Sequence, residues 1–137
     1  MKEKDLQTIF NRQIPTFIHK FPSSGTINIE SKLIDISKSK SIPFAEVVPH
    51  QVRALRQSRD HYLAYKIPDD SSDTKPFDLT IWRDCWTYIC LFWYEARKLK
   101  EAHLIPLSSF ILMKSTVTRK SITYEMSKGS SEFIVTL

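Results

Sequence analysis

The sequence predicts an α+β domain: a mixed or antiparallel sheet of four to six strands with helices packed against it. Three observations lead there. Helical signals fall in three separated segments, near the N-terminus, after Pro49 and after Leu107. Between and beyond them lie short runs of alternating or wholly apolar residues, of strand length. The 137 residues, 42% hydrophobic and 12% aromatic, suffice for one packed core, so residues 1–137 read as a single domain.

The first helix is expected from residue 2 to about 14. Leu6, Ile9, Phe10 and Gln13 share one face, Glu3 and Asp5 sit in the first turn where the helix dipole favours acids, and Pro15 closes the segment. A strand at about 16–21 and a turn at 22–25 lead into "INIESKLIDIS", where Ile27 and Ile29 alternate with Asn28 and Glu30. The polar stretch "SKSKS" (37–41) reads as a solvated loop. Pro49 then opens a helix running to about Arg59. Further strands are expected at 61–67, 77–82 and 86–93. The last is apolar on both faces and so central. A short strand at 103–105, a helix from Leu107 to about Lys114 and a C-terminal strand in "EFIVTL" complete the series.

Composition narrows the partners. Lys and Arg exceed Asp and Glu by 20 to 15, a net charge of +5 that suits an anionic partner such as nucleic acid. Cys85 and Cys90, five apart, match neither a metal pair nor a disulfide framework and read as core residues. The N-terminus lacks a signal-peptide pattern, and no apolar run reaches the ~18 residues of a membrane span. The expectation is a cytoplasmic, reduced protein with no membrane association.

The residues with chemical potential begin with Glu30 and Lys32. Two apart on a strand, they share a face, about 7 Å from one Cα to the other. A metal-dependent phosphodiesterase needs an acidic oxygen and a nearby cation of this kind, although a solvated charge pair has the same pattern. Downstream, Arg53, Arg56 and Arg59 recur at three-residue spacing and offer phosphate contacts beside Lys38 and Lys40. Trp82, Trp86, Trp93, Tyr88, Phe92 and Tyr94 could stack bases, but their apolar run favours core or a dimer interface.

The stretch "INIESKLIDISKSKSIPFAEVVPHQVRAL" resembles the core of the RecU-type Holliday-junction resolvases, a branch of the PD-(D/E)xK nucleases. There, a strand ending in Glu-x-Lys leads through polar residues to a Ser-x-Pro motif, here Ser41-Ile42-Pro43-Phe44, and to a helix opened by His-Gln, here His50-Gln51. "EKDL", "TRKSITYEM" and the "KIPDD…KPFD" segment found in small phage-type members extend the similarity, with residues 27–55 the specific part. The resemblance implies a restriction-endonuclease-like mixed sheet and an endonuclease for branched DNA, working as a homodimer with Mg²⁺ or Mn²⁺. It implies Glu30 as metal ligand, Lys32 beside the hydrolytic water or scissile phosphate, Gln51 as support, Glu3 as an outer acid, and Lys38 and Lys40 on the DNA-contacting surface. One departure stands out: the family's Asp upstream of Glu-x-Lys is missing, since residues 6–29 contain no acid. Asp78 is the candidate replacement, with an ordinary turn-to-strand Asp as the other reading. Asp35 faces away from Glu30. The alternative function is a nuclease fold that binds DNA or adapts other proteins without cutting.

Overall fold

A computed structural model describes residues 2–17, 27–60 and 86–137. In chain order the elements are α1 (Glu3–Phe17), β1 (Ile27–Asp35), β2 (Ser41–Pro43), a 3-10 turn (Phe44–Glu46), α2 (Pro49–Asp60), β3 (Trp86–Glu95), β4 (Leu99–Pro106), α3 (Leu107–Thr116), β5 (Ser121–Thr123), α4 (Tyr124–Ser130) and β6 (Phe133–Thr136). The protein is α+β, as expected. A mixed four-stranded sheet has the order β1-β3-β4-β6. β1 runs parallel to β3, and the β3–β4 and β4–β6 pairs are antiparallel. β2 and β5 form a separate antiparallel pair.

The strand at 86–93 is central, and the reason is its composition. Every residue from Thr87 to Trp93 is buried, so both faces of β3 must be covered. Tyr88, Cys90 and Phe92 meet Leu6 and Phe10 of α1. Ile89, Leu91 and Trp93 pack with Ile34 of β1, Leu55 of α2 and Phe110 of α3 on the other side. Helices therefore flank the sheet on both faces. Burial also raises the Cys90 thiol above its ordinary range, so it packs as a small apolar residue.

Several boundaries differ from expectation. α1 continues through Pro15 to Phe17, although proline lacks the N–H that would bond four residues back. The strand expected at 16–21 thus begins inside that helix. Its remainder, the strands expected at 61–67 and 77–82, and with them Asp78, Trp82 and Cys85, lie outside the described residues. α2 and α3 extend one and two residues past their expected ends. Unanticipated elements are β2, β5 and α4. Thr123 caps α4 by accepting a bond from the Met126 N–H at 3.3 Å.

One polar cluster is built into the apolar layer. His103, fully buried on β4, contacts the Glu101 carboxylate through Nε2 at 3.0 Å and Ser127 Oγ through Nδ1 at 2.8 Å. Tyr124 donates to the same carboxylate at 2.7 Å, and Trp93 Nε1–H donates to Ser127 Oγ at 3.0 Å. The carboxylate can only accept, so Nε2 carries the proton. Neutral His103 then receives the Ser127 hydroxyl hydrogen at Nδ1, and each group is satisfied. Desolvation lowers the His103 pKa against the opposing pull of Glu101, and bonding to Glu101 pushes Tyr124 up to about 12.

Two outcomes follow from this core. Leu91→Ala should cost about 2–5 kcal/mol in urea unfolding, by loss of packing and creation of a cavity. Stability should also fall as pH drops below the ordinary histidine value of 6.5, because the unfolded chain takes a proton that buried His103 resists. Unfolding midpoints followed from pH 7.5 to 5.5 should show that decline, and His103→Gln should flatten it.

Candidate functional site

β1 brings Glu30 and Lys32 to the face that also carries buried Ile34. In the parallel register Glu30 lies beside Ile89, Lys32 beside Leu91 and Ile34 beside Trp93. The charged pair is thus the polar continuation of an apolar row. Lys32 Nζ stands 3.1 Å from Glu30 Oε1, with the two side chains 21% and 27% exposed respectively. They are accessible to a ligand, yet partly withdrawn from water, which strengthens their attraction over that of a surface pair.

The third participant comes from the start of α2. Pro49 occupies the first helical position, which leaves Gln51 in the third. From there Gln51 Oε1 accepts the Val48 N–H at 3.1 Å, while Nε2 donates to Glu30 Oε1 at 2.5 Å. The backbone N–H requires an oxygen and the carboxylate requires a donor, so both partners fix the amide in one orientation. This is the returning half of a capping box. One side chain completes the helix start and bonds the acid. Both contacts fall on Oε1; Oε2 of Glu30 has no protein partner among the described residues.

Glu3 lies across the strand. Ser31, pointing to the opposite face from Glu30, donates to Glu3 Oε1 at 2.8 Å, and Gln7 Nε2 donates to it at 3.1 Å. Glu3 also borders a cleft of about 580 Å³ together with Lys32, Lys38 and Glu46. Asp35 braces the following turn. It accepts from the Ser37 backbone and hydroxyl, at 3.1 and 2.5 Å, and the hydroxyl bond above all lowers its pKa. Its odd spacing from Glu30 had pointed it away from the site.

The basic residues divide. Lys38 enters the Glu3–Lys32 cleft and lies 3.5 Å from Asp35. Lys40 lines another groove, of about 680 Å³, with Arg119 and Tyr124. Arg53 and Arg56 flank a third groove, between α2 and α3, with Lys114. Arg59 leaves that stripe and pairs with Asp60 at 2.5 Å. A three-residue step falls about 60° short of a full turn, so Arg59 lies about 120° around the helix from Arg53. Of the described aromatics, Trp93, Tyr88 and Phe92 are core, and Trp86 is the exposed one.

Gln7, Ser31 and Lys114 are participants that sequence reasoning passed over. Ser31 carried a signal, since its place between Glu30 and Lys32 sends it to the α1 face. Among the described residues no group of three or more His, Cys, Asp or Glu side chains is gathered for a metal, and no helix is long and apolar enough to cross a membrane. No protein-family model, curated protein or solved structure matches the chain.

Gln51→Ala should destabilise the protein by about 1–2 kcal/mol, through the lost cap and the lost bond to a charged group. Urea unfolding of the purified variant measures it. An unchanged midpoint would remove Gln51 from any positioning role.

Proposed function

We propose that this chain is a metal-dependent endodeoxyribonuclease for branched DNA, on the plan of the RecU-type Holliday-junction resolvases. The observation that carries the reading is the meeting of Glu30, Lys32 and Gln51 from two elements, with one carboxylate oxygen left open. The resemblance assigned these three residues to one site, and a strand's solvated charge pair does not call for a helix-start glutamine.

Among the described residues no group of three ligand side chains is gathered around Glu30; the reading calls for Mg²⁺ or Mn²⁺. Such ions are held by one or two carboxylates, with substrate phosphate and water completing the shell. Glu30 would supply the first carboxylate, and Asp78, the candidate replacement for the acid that the family carries upstream, would supply the second. When bound, the ion supplies a more acidic water and neutralises charge on the scissile phosphate. Gln51 holds Glu30 in one rotamer. Lys32 places a cation beside the carboxylate, where it offsets charge on an arriving phosphate. A homodimer would bring two such sites to the two-fold symmetric arms of a junction.

A second reading is a DNA-binding adaptor on the same fold without cutting. It is favoured by one observation: Glu3, which the resemblance implies as an outer acid, is engaged by Ser31 and Gln7 on the far side of β1.

A labelled four-way junction incubated with the protein should be cut in Mg²⁺ and remain intact in EDTA. Glu30→Ala should lower the cutting rate at least ~100-fold, as loss of a principal electrostatic group does, while DNA binding persists. Cutting retained in Glu30→Ala would falsify the nuclease assignment. Binding without any cutting by the unaltered protein would leave the adaptor.

A further inference from the structure

The groove between α2 and α3 holds three cations and, among its lining residues, no acid. Arg53 and Arg56 project from α2, and Lys114 comes from the last turn of α3. Val52, Phe110 and Ile111 form an apolar floor, and the space measures about 310 Å³. Lys38, Arg59 and Lys98 are paired with Asp35, Asp60 and Glu95, whereas Arg53, Arg56 and Lys114 have no carboxylate partner among the described residues, a state they share with Lys40, Arg97, Arg119 and Lys120.

Three like charges around a small groove repel one another, and two of them stand three residues apart on one helix, which adds to the repulsion. The arrangement is relieved by an anion that spans both helices. Arginine suits phosphate through its planar fork and lysine as a point charge. Long basic side chains over an apolar surface keep their charged heads in water, where a polyanion's backbone can reach them.

We infer that this groove seats a phosphodiester backbone, with Lys114 as a phosphate contact supplied by α3. The inference rests on the proposed nucleic-acid reading and deepens it. α2 then serves DNA twice: its first turn holds Glu30 through Gln51, while its flank anchors the backbone away from the chemistry. The anchoring is indifferent to sequence, since phosphates carry none.

The test separates anchoring from cutting. Binding of a labelled duplex and a labelled four-way junction is measured in EDTA across a salt series for the unaltered chain, Lys114→Gln, Lys114→Arg and the triple variant Arg53→Gln/Arg56→Gln/Lys114→Gln. Removing one cation from a phosphate should reduce the slope of log K against log salt by about 0.9. Lys114→Gln should therefore lose about 0.9 and the triple variant about 2.7, on that same scale, with Lys114→Arg keeping the original slope. Unfolding midpoints of the variants establish that they are folded. A triple variant with the unaltered slope overturns the inference, even if the protein cuts junctions. Reduced slopes in a protein that never cuts sustain it while the nuclease reading falls. An unaltered chain that binds neither DNA overturns both.

Discussion

The structure depends on one strand that water cannot reach. β3 is buried along seven consecutive residues, and each side of it is apolar enough to demand its own cover. α1 meets one side, and α2 and α3 meet the other. The neighbours are dictated too, because backbone donors and acceptors of a buried strand must be paired on both edges. β1 and β4 supply that pairing. β1 can therefore carry charge: its apolar residues near β3 fix the register, and that register sets Glu30 and Lys32 at the margin of the core.

The polar cluster around His103 follows from the same burial. The β4 residues beside Trp93 enter the apolar layer, and there an unpaired imidazole would be costly. Glu101, Ser127 and Tyr124 close the hydrogen-bond circuit and tie α4 to the sheet. The circuit does for α4 what apolar packing does for the larger helices, since a helix of seven residues has little face to bury.

What could be read in the sequence tracks where the physics is local. The parity of Glu30, Lys32 and Asp35 is a property of any strand, and it survives intact. The helix after Pro49 has its proline at the first position and its apolar side at Val52 and Leu55, so it too is legible. Gln51 was placed by the resemblance, whereas its bond to Val48 is local and could have been found from the capping pattern alone. The stripe of arginines shows the limit of counting. Three-residue spacing suggests a row, but 3.6 residues per turn carries Arg59 off the row and into a pair with Asp60. Lys114 was beyond reach, because its meeting with Arg53 and Arg56 depends on how two helices lie together. β2 and β5 are three residues each, too short for periodicity to speak.

The double engagement of Gln51 has an evolutionary meaning. Its amide is part of the scaffold as well as of the site, so selection for a folded protein preserves it whether or not DNA is cut. A lineage that abandoned the chemistry would keep the glutamine and lose Glu30 or Lys32 first, since neither caps a helix. In a family of such chains, variation at position 51 would record the constraints of folding. Variation at 30 and 32 would record whether the proposed chemistry was kept.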